Sequence, residues 1–226
     1  MDPSPPWRIS TERSAHRRRD RMYVQYGSGL SAPTTWRNFD ASPSLRLQKL
    51  SGVGFFFRRF LPPLFPKNTE YGDILKGLPV PSKSCNGLYC SHVLEHLSLQ
   101  DFRVAVRNSH ALLRDGGIFR FVLPDLETIA GAYLSSAAPD ACSQFMEASL
   151  LGSVERTRGL VGFLRQWLGN SAHLWMWDFK GISAELSNAG FRGVRRAEFA
   201  DSDDKRFADV EDADRWRECL GVECRK

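Results

Sequence analysis

Several chemistry-bearing side chains in this chain stand directly after apolar runs. The run Gly87-Leu88-Tyr89-Cys90 meets a polar knot, Ser91-His92-Val93-Leu94-Glu95-His96. His92 has an intrinsic pKa near neutrality and so has the chemistry of a general base. Glu95 and His96 follow it by three and four residues and share its face once a helix has begun. Glu95 can then orient His92, or it can sit at the helix N-terminus, where an acid interacts well with the dipole. Two histidines at i, i+4 invite a metal reading. No third ligand is placed by the sequence, however, and the glutamate spacing differs from HExxH, so no metal site is expected. A second run, Ile118 to Leu123, ends at Pro124-Asp125. Asp125 is either a second candidate base or contact to a substrate, or the N-cap of a helix starting near Leu126.

Two further groups lie N-terminal to these. Tyr26-Gly27-Ser28-Gly29 follows the short apolar strand Met22–Tyr26, and glycine there lets the backbone turn sharply and approach a ligand that a Cβ would block. Asp40 closes a second strand ending Asn38-Phe39-Asp40, with a helix cap or turn as its alternative role. Only about nine residues separate Gly29 from Phe39, so the first crossover holds little helix. Asp73, in Tyr71-Gly72-Asp73-Ile74, lies at a third strand, as a ligand contact or a strand-end cap.

These groups need a scaffold that gathers strand ends. Between Gly87 and Asp125 the pattern is strand, turn, helix (Phe102, Val104, Ala105, Val106, Ala111, Leu112, Leu113), glycine stop at Gly116-Gly117, strand: one βαβ unit. Residues 127 to 177 are mostly helical in character. A helix over Asp178–Asn188, a strand over Val194–Phe199 and a terminal strand over Leu220–Cys224 follow. In open parallel sheets the carboxyl edge of the strands is where ligands bind.

The chain resembles the class I S-adenosylmethionine-dependent methyltransferases, most closely their type 11 branch. Asp73 with Leu78-Pro79-Val80, the HVLEHL piece from His92 to Leu97, and Leu112 to Leu126 carry the likeness, which extends over roughly residues 22 to 226. It implies a Rossmann-like α/β fold with a seven-stranded, mostly parallel sheet whose last strand is antiparallel, and helices on both faces. It implies S-adenosyl-L-methionine as cofactor, held by Tyr26, Gly27, Ser28 and Gly29 at the methionine part, Asp40 at the ribose hydroxyls, Asp73 and Ile74 at the adenine, and Ser91 near the sulfonium. His92 and Asp125 become the catalytic candidates. His96, His173 and Trp175 fall on the acceptor side, with Trp175 and Trp177 either walling a pocket or packing in the core. Two departures stand out: Gln25 occupies a position often acidic in the family, and Ser31 replaces the third glycine of the longer loop. A non-catalytic, methyltransferase-like scaffold with a degenerate loop is the alternative they raise.

Composition fits one such domain. The 226 residues are 42% hydrophobic and 25% charged, ordinary globular values. Residues 1–21 form an expected flexible basic arm, residues 22–226 the domain, and residues 127–176 a helical acceptor-side insertion. Five cysteines without CxxC spacing, no apolar run of membrane-spanning length and no secretory leader pattern point to a reduced, cytoplasmic protein. The net charge of +5 is unevenly spread, with an acid-free basic segment over 41–69 and eight acids over 200–218. Solvated faces are the ordinary account of such runs; an anionic substrate near the basic segment is the other. A small-molecule or saccharide-like acceptor is expected. Phenylalanines beside Arg58-Arg59 in the Phe55–Phe65 patch suit either a lipid-linked or membrane-surface substrate, or a loop covering the domain or a second subunit. The oligomeric state is open. Nucleic acid is not an expected partner: stacking aromatics are not interleaved with the basic groups, and SHVLEH stands where base-methylating relatives carry an NPPY-like motif.

Overall fold

A computed structural model of the protein describes residues 22–50, 64–152 and 172–226. The basic arm over 1–21, nearly all of the Phe55–Phe65 patch and residues 153–171 of the helical insertion lie outside the described residues. Seven strands form one sheet: β1 (Met22–Tyr26), β2 (Arg37–Asp40), β3 (Thr69–Tyr71), β4 (Cys85–Ser91), β5 (Leu113–Pro124), β6 (Arg192–Ala197) and β7 (Cys219–Arg225). Their spatial order is β3-β2-β1-β4-β5-β7-β6. The first five are parallel, and β7 runs antiparallel to both neighbours. This is the Rossmann-like methyltransferase sheet expected from the sequence.

Side-chain alternation divides the core between the two faces of the sheet, which is why β4 is buried along its whole length. Val24, Tyr26, Leu88, Cys90, Phe119, Phe121 and Leu123 face one layer of helices. In that layer α2 (Leu99–Leu112) buries Phe102, Ala105, Val106, Ser109 and Leu112, one stripe at helical spacing. Ser98 caps it, accepting from the Asp101 N–H at 3.2 Å. Tyr23, Tyr89, Ile118 and Val122 face the other side, against Trp36, Phe207, Val210 and Trp216.

The remaining helices are α1 (Pro43–Gln48), α3 (Leu126–Ser135), α4 (Ala141–Ser149), α5 (Phe179–Asn188) and α6 (Ala213–Trp216). The connection from β1 to β2 holds turns and no helix, as its length dictates. The third strand ends at Tyr71 rather than running on through Ile74. Gly72 packs under Phe39 and Leu78, where a Cβ would come within 2.7 Å and 2.9 Å of their side chains, and Asp73 is thereby released into a turn.

The acidic tract over 200–218 is not simply a solvated face. Arg120, fully buried in the middle of β5, donates to Glu211, to Asp201 at 2.7 Å, to Glu223 at 3.1 Å and to the Glu198 carbonyl at 2.6 Å. Its guanidinium lies 4.5 Å from the centre of the Trp216 ring. Removing one partner from a buried ion cluster strands the others without compensation. Arg120→Leu is therefore expected to lower the unfolding free energy by about 3–5 kcal/mol. Urea unfolding should show this as a lower midpoint at unchanged slope.

Candidate functional site at the carboxyl edge

The chain runs outward from β1 through β2 to β3 and then returns to place β4 beside β1, so the sheet has its switch point between β1 and β4. The turns after both strands meet there. Gly27 and Gly29 take φ of 63° and 54°, and a Cβ on Gly27 would lie 2.2 Å from Val93 Cγ2 in the turn after β4. Glycine is thus required at residue 27 by conformation and by space together. The loop keeps its shape without an acid at 25 or a glycine at 31. The Gln25 amide donates to Asn38 Oδ1 at 2.8 Å and to the Ser31 carbonyl, and the Ser31 N–H donates to the Ser28 carbonyl at 3.0 Å.

Asp40 closes this loop from β2. Its Oδ2 accepts from the Gly29 N–H at 2.9 Å, and its Oδ1 accepts from the Ser42 N–H at 2.8 Å and from the Ser42 hydroxyl. A carboxylate offers about four lone-pair directions, so capacity remains for a ligand. Asp40 shares a cleft of about 400 Å³ with Gly27, Asp73, Ile74, His92 and His96. A second cleft of about 810 Å³ lies across the same loop, between Gly27–Ser31, Ser91 and residues 209–215. The buried Ser28 hydroxyl on that side has no hydrogen-bond partner among the described residues. Tyr26 belongs to the edge only through its backbone. Its ring points into the core, where the hydroxyl meets Ser109 Oγ at 3.1 Å and burial raises its pKa well above the usual value.

The turn after β4 places the polar knot. Residues 94–96 form a 3-10 turn, and α2 begins only at Leu99, so Glu95 is not a helix cap. His92 adopts φ 53°, a conformation costly for a side-chain-bearing residue, and its N–H donates to the Val122 carbonyl at 2.9 Å. Its Nδ1 lies 3.1 Å from Glu95 Oε1 and its Nε2 lies 3.0 Å from the Arg215 carbonyl. Both ring nitrogens face acceptors, so both donate. Burial alone would lower the pKa of His92, but the Cys219 sulfur, Glu95 and the Arg215 carbonyl outweigh it and raise it to about 10. The expected base is here held through both ring nitrogens. Asp125 is likewise engaged, with Oδ1 capping α3 through the Glu127 N–H at 2.9 Å and Oδ2 held by Arg196 at 3.0 Å.

On the acceptor side, the Glu95 carbonyl accepts from the N–H groups of Leu174 and Trp175, at 2.8 Å and 3.2 Å. This pins His173 beside His96, with ring centres 5.0 Å apart. His173 is buried, which lowers its pKa, and its Nδ1 lies 2.8 Å from the Ser149 carbonyl. Trp175 is 41% exposed and leans on the buried Trp177, so the first is a surface group and the second a core one. A pocket of about 410 Å³ opens between α3, α4 and Cys219, lined by Ile129, Tyr133, Gln144, Phe145 and Arg217. Cys219 Sγ is 3.9 Å from His92 Nε2, joining this pocket to the knot. Neither Cys219 nor the Arg215 carbonyl carried a signal in the sequence, because both arrive through tertiary folding alone, from the start of β7 and from α6.

Residues 62–121 match the family model described as a methyltransferase domain. Among solved structures, the chain is similar to a SAM-dependent methyltransferase from Thermotoga maritima described as a possible histamine N-methyltransferase. The TM-score is 0.51 at 11% identity, over 91% of this chain and 82% of that one. A SAM-dependent methyltransferase from Archaeoglobus fulgidus aligns with TM-score 0.47 and 13% identity over 95% and 90% of the two chains. PigF, solved with SAH, gives 0.47 and 13% over 91% of this chain, which spans 50% of the length of PigF. No curated protein matches. Residues 62–121 thus resemble a methyltransferase domain, and the sheet that carries them has the fold of that Thermotoga maritima structure.

The Gly27–Val93 contact gives a direct check of this edge. Gly27→Ala is expected to cost more than about 1 kcal/mol, because it adds both a clash and an unfavourable φ. Val93→Ala in the same background should restore part of the loss, the steric part only, as read by thermal unfolding.

Proposed function

We propose that the protein transfers a methyl group from S-adenosylmethionine to a small-molecule or saccharide-like acceptor. The observation that carries the reading is the cradle after β1 and β2. Asp40 is held by the Gly29 N–H, the Ser28 hydroxyl lacks a partner among the described residues, and Gly27 admits close approach at a sheet switch point. These residues suit an adenosyl and amino-acid ligand. Asp40 would take the ribose hydroxyls, Asp73 and Ile74 the adenine, and the Gly27–Gly29 loop with Ser91 the methionine part. When bound, the cofactor would supply an electrophilic methyl group on a sulfonium to the lone pair of an acceptor.

The chain's own contribution is positioning. In-line displacement at carbon needs donor and acceptor held at near-attack distance, and orientation of this kind supplies a large part of the barrier reduction. His92 and Asp125 support that role, since hydrogen bonds already fix both side chains. The acceptor would enter from the pocket beside Cys219. There Tyr133 and Phe145 offer flat apolar faces, and Gln144 and Arg217 offer polar contacts to hydroxyl or carboxyl groups. A lipid-linked or membrane-surface acceptor is not favoured by any described contact, and no described helix is long and apolar enough to cross a membrane.

Calorimetric titration with S-adenosylhomocysteine tests the reading. Saturable binding is expected, weakened about 10–100-fold by Asp40→Ala, the worth of a hydrogen bond to a charged group. Absence of binding to the folded wild-type chain would overturn it in favour of a non-catalytic scaffold.

A further inference from the structure

Glu95, His96 and His173 each bring one potential ligand atom to a common point, all within 4.8 Å of one another. We propose that these three residues form a binding site for a divalent metal of the zinc type, with a coordination position open to the cleft. The argument rests first on Glu95. Its side chain is essentially inaccessible to solvent, and while Oε1 meets His92, the buried Oε2 has no hydrogen-bond partner among the described residues. A buried acceptor left unmade is costly, and a carboxylate oxygen more so than a neutral one. A cation at this point satisfies it.

The histidines are prepared in the same sense. His96 Nδ1 lies 3.0 Å from the Ala172 carbonyl, and His173 Nδ1 lies 2.8 Å from the Ser149 carbonyl. A carbonyl only accepts, so each Nδ1 donates, which leaves Nε2 as the ring nitrogen a metal would take. Ligating histidines characteristically donate the other ring N–H in this way, which fixes tautomer and ring orientation. Two imidazoles and one carboxylate suit zinc rather than magnesium or calcium, which prefer all-oxygen sites. Metal bonds of about 2.0–2.2 Å require the three donor atoms to draw inward by on the order of 1 Å.

Three protein ligands leave a fourth tetrahedral position, the arrangement of catalytic rather than structural zinc. His96 also lines the cleft that holds Asp40 and Asp73, so that position opens toward the space where methyl donor and acceptor would meet. An acceptor hydroxyl, thiol or carboxyl group is the class of ligand it would take. This last step rests on the proposed methyl transfer; the metal site itself does not.

The test uses the full chain without a histidine tag, stripped with EDTA and titrated with zinc alone in competition with a chromophoric chelator. One zinc per chain is expected, with affinity reduced about 100-fold or more in the His96→Ala/His173→Ala variant and at least tenfold in Glu95→Gln. Zinc should raise the unfolding midpoint of the wild-type chain only. Circular dichroism in EDTA shows whether the variants keep their fold. Cobalt(II) substituted into the wild-type chain gives a readout that needs no variant: nitrogen and oxygen ligation without a thiolate charge-transfer band is expected. Non-stoichiometric binding, unchanged affinity in the folded double variant, or a thiolate band reporting a cysteine site would each overturn the proposal.

Discussion

The burial of Arg120 in the centre of the sheet is the constraint on which the site's second wall depends. Its cross-strand neighbour on β7 is Glu223, and Glu211 and Asp201 reach it from the loop that follows β6. A guanidinium in that position must have its donors satisfied, and Glu223 on β7 together with three acceptors from the stretch 198–211 do so in fixed directions. The stretch cannot then drift. Residues 209–215 become a rigid flank of the cleft, and the Arg215 carbonyl is delivered to His92 Nε2. His92 in turn holds Glu95, and the Glu95 backbone carbonyl holds Leu174 and Trp175. One buried cation thus specifies, through successive hydrogen bonds, the position of a turn on a neighbouring strand and of a segment far along the chain.

How much of this could be read from the residues follows the range of each interaction. The βαβ unit was legible because hydrophobic periodicity acts over a few residues; the expected glycine stop is not where the helix ends, since α2 closes at Leu112 and Gly116-Gly117 fall inside β5. The carboxyl edge was legible as well, since a strand-ending Asp40 and the Gly27-Ser28-Gly29 turn are local consequences of chain direction. Departures came where a residue's partner is distant. Tyr26 adjoins the glycine loop, yet the two-residue alternation of β1 sends its ring to the helix-covered face, so its side chain packs against Phe119 instead. The acidic tract looked like solvated surface because nothing near it in sequence shows that an arginine lies buried beneath it. His92 looked like a free base because the carbonyl that occupies Nε2 is 123 residues away.

The histidines and Glu95 show the same limit from the other side. His92 and His96 at i, i+4 suggested a metal pair and lacked a third ligand. The chain does not extend a helix through them: the 3-10 turn and the positive φ at His92 point the two rings in different directions. His96 finds its companion in His173, brought in by the two N–H groups that converge on the Glu95 carbonyl. The pairing visible in sequence and the pairing made in space share only one histidine.

This separation matters for chemistry. On the proposed reading, methyl transfer by in-line displacement asks mainly for geometry, which the Asp40 side of the edge would supply. An acceptor hydroxyl is a poor nucleophile while protonated, however, and the ordinary solution is an adjacent base. Here both ring nitrogens of His92 and both carboxylate oxygens of Asp125 already have hydrogen-bond partners. The buried Glu95 oxygen, His96 and His173 stand together beside His92, and His96 lines the same cleft. A cation bound there would lower the pKa of a coordinated hydroxyl or thiol by charge rather than by proton transfer to the chain, the usual role of a metal with an open position. The hydrogen-bonded His92 ring would then act as the brace that keeps Glu95 in place.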